Sequence, residues 1–156
     1  MLRTIKQQNG EAGSGLIEFT VVALALLTVM LGIVDLGRAL YAYNYVSDAA
    51  RRGARYAIVR GSKCDPTLSG CPVQSSQDPN LISYVESNAD GINTSNLSVT
   101  ASCCPAGAAT CTGGSFPCDP GNAVQVQVQY TFNFITPLLP QASWKMTSTS
   151  EMTVSQ

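Results

Sequence analysis

The side chains able to do chemistry in this 156-residue chain are six cysteines and ten carboxylates, one of which, Glu18, stands at the mouth of a long uncharged run. There is no histidine, so the commonest general base and metal ligand is missing. Nor is there a G-x-S-x-G elbow, a Gly-rich phosphate loop or a cluster of carboxylates. Asp65, Asp78, Asp90 and Asp119 fall in turns, where Asp is at home, and lack the regular ligand spacing of a calcium loop. No catalytic residue, metal or cofactor is expected, and a periplasmic enzyme is the least supported reading. Asn93-Thr94-Ser95 and Asn96-Leu97-Ser98 match glycosylation acceptors and are read as chance.

The cysteines are Cys64, Cys71, Cys103, Cys104, Cys111 and Cys118. Structural zinc takes pairs two to four residues apart, whereas the gaps here are mostly seven and no C-x-x-C occurs. Lys63 is the only adjacent cation, so nothing favours a reactive thiolate. Disulfides are expected: Cys64 with Cys71, and Cys103 and Cys104 with Cys111 and Cys118 in some order. Each would contribute about 2–3 kcal/mol on the chain-entropy model. Such bridges need an oxidising compartment, and therefore a route out of the cytosol.

Glu18 points to that route. A carboxylate within hydrocarbon costs about 2.5–3.5 kcal/mol, yet Glu18 opens a run of uncharged residues, 19–34, that as a helix spans about 24 Å. The run is slightly short for a bilayer core of about 30 Å, longer than a typical cleaved h-region, and followed by Asp35 and Arg38 rather than a small-x-small cleavage pattern. It is apolar all round, unlike a helix packed on one face. We read a retained membrane helix. Arg3 and Lys6 hold its start on the cytoplasmic side, and the chain beyond about Asp35 lies outside.

The helical pattern continues past Asp35. No proline occurs in residues 1–65, and Leu36, Leu40, Tyr43, Ala50, Ala54 and Ala57 recur at helical spacings. Asp35 with Arg38, and Asp48 with Arg51 and Arg52, stand at pairing distances along the helix. One helix over 15–60, about 69 Å long, is expected, with its first part suited to lipid and its second amphipathic. Gly61 would end it. Ala49, Gly53 and Ala57 form a small-residue row that admits close backbone approach, either to a partner or to the chain's own domain.

Beyond a loop rich in Pro, Gly, Ser and Cys, Asp78 and Pro79 begin a short helix with Leu81, Ile82 and Val85 inward and Gly91 as its stop. Leu97, Val99 and Ala101 alternate as a strand. Val124, Val126, Val128, Tyr130, Phe132 and Phe134 alternate with polar residues as the clearest strand in the chain. Trp144, Met146, Met152 and Val154 mark one face of a third strand, after a connection carrying Pro137 and Pro140, where Ile135, Leu138 and Leu139 could make an exposed apolar contact. Three strands with one apolar face need a cover, and the amphipathic helix can supply it. The fold class is α+β: a long N-terminal membrane-spanning and amphipathic helix packed on a small antiparallel sheet with Cys-rich loops.

Gly13 precedes Glu18 by five residues and Phe19 follows it, which resembles a type IV prepilin processing site. LIEF, DLGRALYA and SDAARRGARYAIV, in that order, resemble the TadE-like minor pseudopilins of the tight-adherence (Flp) pilus system over about residues 13–60. The shared pieces are Glu18-Phe19, the Leu36-Gly37-Arg38 junction, and Ala49-Ala50-Arg51-Arg52-Gly53-Ala54-Arg55-Tyr56-Ala57. The β-rich remainder matches in type, through the V-x-V-x-Y strand. Relatives often carry a proline in the apolar run, and this chain has none.

The resemblance implies a type IV pilin-like fold and cleavage between Gly13 and Ser14, with Gly13, Ser14, Glu18 and Phe19 as the processing segment. It implies a leader at 1–13, a transmembrane segment at 14–35, an amphipathic continuation at 36–61 and an extracytoplasmic disulfide-stapled head at 62–156. Glu18, Gly37, Arg38, Gly53 and Arg55 would serve assembly. The implied partners are a prepilin peptidase, other pilins or pseudopilins through the helix, an inner-membrane assembly platform and the lipid bilayer. The chain would be a single-pass inner-membrane protein with a periplasmic head, and extracellular once in a pilus. Two alternatives remain: a type II secretion pseudopilin, against which the ARRGARYA segment speaks, and an unprocessed membrane-anchored binding module. With 12% charged residues and a net charge of -1, there is no electrostatic footprint for nucleic acid.

Overall fold

In the computed structural model the described residues are 11–67, 69–105, 107, 111, 116–135 and 142–154, with side chains from residue 13 onward. Arg3 and Lys6, and the Pro137, Leu138, Leu139 and Pro140 segment, lie outside them.

The absence of proline and the run of good helix formers yield one unbroken helix, α1, over Glu11–Ile58, about 72 Å long for its 48 residues. It ends before Arg60 and without a left-handed Gly61. The side chain of Arg60 closes the last turn instead, donating to the Tyr56 carbonyl at 3.3 Å and to the Ser69 carbonyl at 3.1 Å. The second helix, α2, covers Pro79–Glu86. The buried Asp78 carboxylate caps it, accepting from the backbone N–H of Asn80 at 2.9 Å and Leu81 at 3.4 Å, and it also holds Gln74 N–H at 3.0 Å. Leu81 and Val85 are buried; Ile82 is only partly so. α2 stops at Ser87 rather than Gly91, whose positive φ of 72° serves the following turn.

Three strands follow as an antiparallel meander in the order β1-β2-β3: β1 Leu97–Cys104, β2 Ala123–Asn133 and β3 Ser143–Thr153. The alternation in β2 sets the register. Val124, Val126, Val128, Tyr130 and Phe132 are all buried on the face that receives α1, and Val126 stands between Ala101 and Ser150, with Phe132 opposite Trp144. Each fully buried apolar side chain of this size contributes about 1.5–3 kcal/mol. The other face of the sheet, with Gln125, Gln127, Gln129 and Thr131, is polar.

The helix meets the sheet through small residues. Ala39, Ala42, Ala49, Ala50, Ala54 and Ala57, with Val46, are buried against it. The Ala49, Gly53, Ala57 row therefore packs on the chain's own domain. A Cβ at Gly53 would lie 3.0 Å from Val126 Cγ1, 3.5 Å from Val85 and 3.7 Å from Leu81, so Gly53 marks where α1, α2 and β2 converge. The stripe expected from Leu36, Leu40 and Tyr43 is out of phase: all three project outward, at 65%, 61% and 57% exposure. Trp144 shares the helix-facing side of β3 with the buried Met146 but stays half exposed.

Bridges join Cys64 to Cys71, Cys103 to Cys118, and Cys104 to Cys111. Ser62 N–H donates to the Cys118 carbonyl at 2.9 Å, which ties the loop after α1 to the loop before β2. The bridged loops thus gather at the end of the sheet farthest from the apolar half of α1.

Candidate functional site

Nothing in residues 13–34 is buried against the rest of the chain. Leu16, Ile17, Phe19, Leu24, Leu26, Val29 and Met30 each expose more than half of their surface. α1 is long and apolar enough to cross a membrane, and none of its most apolar stretch is covered by the head. The two threonine hydroxyls in this stretch return to the helix backbone. Thr20 Oγ1 donates to the Leu16 carbonyl at 2.7 Å and Thr28 Oγ1 to the Leu24 carbonyl at 2.8 Å. In lipid such groups must be satisfied internally, and here they are.

Gly13, Ser14, Glu18 and Phe19 lie together on the first turns of this exposed rod. Ser14 and Glu18 are one helical turn apart, about 6 Å along the axis. Apart from the neighbouring turns of the helix itself, nothing among the described residues comes within 4 Å of where a Cβ on Gly13 would stand. The peptide between Gly13 and Ser14 is therefore unobstructed by the head, and the Glu18 carboxylate faces outward.

The far end of the apolar run is built differently. Asp35 is buried, and its carboxylate accepts the Ile135 N–H through both oxygens at 3.2 and 3.1 Å and Arg38 Nη1 at 3.1 Å. Arg38 in turn lies 5.2 Å above the Phe132 ring. This set joins the start of the amphipathic half of α1 to the end of β2, a hundred residues away in sequence. Sequence reasoning paired Asp35 with Arg38 but missed this link. The available signal was an acid at the edge of a lipid-length run, a place where a carboxylate needs partners. Gly37 beside it is open, with nothing within 4 Å of an added Cβ. It borders a cleft of about 190 Å³ shared with Arg38, Tyr41, Ile92, Tyr130 and Phe132.

Higher on α1, Arg52 pairs with Asp48 at 3.0 Å, while Arg51 and Arg55 point to solvent. Arg60 lies 3.6 Å above Tyr56, which stacks on Tyr84 at 4.5 Å. The buried Tyr45 hydroxyl donates to the Val85 carbonyl at 2.9 Å and ties α1 to α2; burial raises its pKa above the ordinary tyrosine value. Asp65 accepts from the Thr67 N–H and hydroxyl, which lowers its pKa. Like Asp78, it serves a turn. No group of three or more metal-ligating acid or cysteine side chains occurs among the described residues.

The structure thus brings the proposed processing residues together on one bare helical segment, and sets Gly37 and Arg38 at its other end. Arg55 joins the outer face of the helix, and Gly53 is placed inside the head.

Residues 13–55 fit the family of TadE-like proteins. The match covers the apolar half of α1, the Asp35 junction and the helix as far as Arg55, and leaves α2 and the sheet outside it. No curated protein and no solved structure is significantly similar to the chain.

Proposed function

We propose that this chain, TadE-like over residues 13–55, is a minor pilin or pseudopilin of a tight-adherence pilus, made as a membrane-anchored precursor and trimmed between Gly13 and Ser14. The observation that carries the reading is the bare apolar half of α1 with Glu18 near its start. An acid there, exposed on a lipid-length helix, is unfavourable unless a partner awaits it. Cleavage after Gly13 creates an ammonium on Ser14, one turn away. It also removes Arg3 and Lys6, the cations that hold the N-terminus at the cytoplasmic face. Glu18 can then pair with its own terminal amine or a neighbour's, which fixes the register of otherwise featureless apolar helices.

A prepilin peptidase would act on the open Gly13–Ser14 peptide. Other pilins would pack along the exposed half of α1, and an inner-membrane platform would receive it. The head would stand in the periplasm, where its bridges can form. Glu18→Ala tests the pairing. The variant should insert in the membrane at least as well as the parent, yet fail to support fibre assembly. Normal piliation with Glu18→Ala would contradict the role given to this carboxylate.

A further inference from the structure

The amphipathic part of α1 is inside out next to the apolar run. A helix lying between a sheet and water turns its large apolar residues to the sheet. Here Asp35 and the alanines face the sheet, while Leu36, Leu40 and Tyr43 stand exposed beside its β3 edge. Trp144, at the start of β3, extends the same surface. These residues, with Ala39, line an apolar groove of about 290 Å³. Ile135, at the same end of the sheet, is also 61% exposed.

We propose that this patch is a lipid-facing seat, which rests the base of the head in the headgroup layer of the bilayer that holds α1. Its position fits. The uncharged run spans about 24 Å, so a hydrocarbon core of about 30 Å reaches about 6 Å past Val34 and the headgroup layer ends about 11–14 Å past it. Leu36, Leu40 and Tyr43 stand about 3, 9 and 14 Å above Val34 along the helix axis, within that span. Its composition fits as well, since Trp and Tyr with apolar neighbours are the side chains that settle at that depth. The surface is continuous with the bare face of the apolar run, with no exposed acid between them, because Asp35 is folded inward onto the Ile135 N–H and Arg38. The seat fixes how far α1 sinks and how the head tilts before the subunit leaves the membrane. The proposal rests on the membrane anchoring of α1.

Trp144 is the only tryptophan in the chain, so its fluorescence reports this patch alone. The full-length protein is placed, one copy per disc, in phosphatidylcholine nanodiscs carrying nitroxide-labelled lipid, the label either near the headgroup or near the chain end. A lipid seat gives blue-shifted Trp144 emission, quenched more by the shallow label than by the deep one. Emission typical of water, untouched by either label, overturns the proposal. So does a Trp144 that shifts only when other pilin subunits are added, which would assign the patch to protein. A Trp144→Phe, Leu24→Trp variant, with its tryptophan in the apolar run, separates the two readings. Deep quenching of Leu24→Trp with an unquenched Trp144 removes the seat and leaves the anchor. Loss of both signals removes the anchor as well.

Discussion

Two glycines of α1 illustrate how burial decides the role of a residue. Gly53 faces the side chains of Val126, Val85 and Leu81, with the nearest at 3.0 Å from a would-be Cβ, whereas Gly37 faces open space. Gly53→Val should lower unfolding stability in urea by about 1–3 kcal/mol, since well-packed cores yield little to added methyls. Gly37→Ala should leave it unchanged or raise it by up to about 1 kcal/mol, because alanine is the better helix former. Equal effects at the two positions would contradict the packing described. Tyr45 gives a pH-dependent case. Burial raises its pKa above 10.0, so the unfolded chain releases this proton at a pH where the folded chain still holds it. Its contribution is intact below about pH 10 and declines as pH rises toward the folded value. Alkaline unfolding followed by circular dichroism should therefore fall less steeply with pH in Tyr45→Phe than in the parent. That variant also loses the bond to the Val85 carbonyl, about 1 kcal/mol at neutral pH.

Among the elements, β2 and α2 were legible in the chain itself. Strict alternation admits only one face for Val124 to Phe132, and Asp78-Pro79 is a start signal whose mechanism is local. The length of α1 was legible too, because nothing in 1–60 interrupts it. Its phase was not. Leu36, Leu40 and Tyr43 share one stripe and Ala39, Ala42, Val46 and Ala49 another, and hydrophobicity favours the first. The structure selects the second, because only small side chains let the helix lie against Val126 and Val128. Asp35 escaped for a related reason: its partner N–H, that of Ile135, is distant in sequence and carries no side-chain signature. At the far end, the bridges tie the ends of the sheet to the loops. Removing Cys103–Cys118, whose partners are 15 residues apart, should cost about 3 kcal/mol on the chain-entropy model. Removing Cys104–Cys111, with partners seven apart, should cost about 2 kcal/mol. Urea midpoints of the two paired Cys→Ala variants check the order, and six reactive thiols in the unreduced native protein would contradict the bridges altogether.

For the whole molecule, the division of labour follows from where surface is covered. The head buries one face of its sheet under the upper half of α1, while the lower half is left bare, with its threonine hydroxyls bonded back to the helix. A rod with that much apolar surface is unfavourable in water and suited to lipid or to packing among like helices. The proposed processing residues, Gly13, Ser14, Glu18 and Phe19, lie on the first turns of the bare half, away from the head. On the proposed function, Glu18 is tolerated there because trimming supplies an amine beside it. The most direct measurement is the N-terminal sequence of the protein purified from a host with an active prepilin peptidase. Ser14 is expected as the first residue, and an intact Gly13–Ser14 peptide in that host would contradict the trimming.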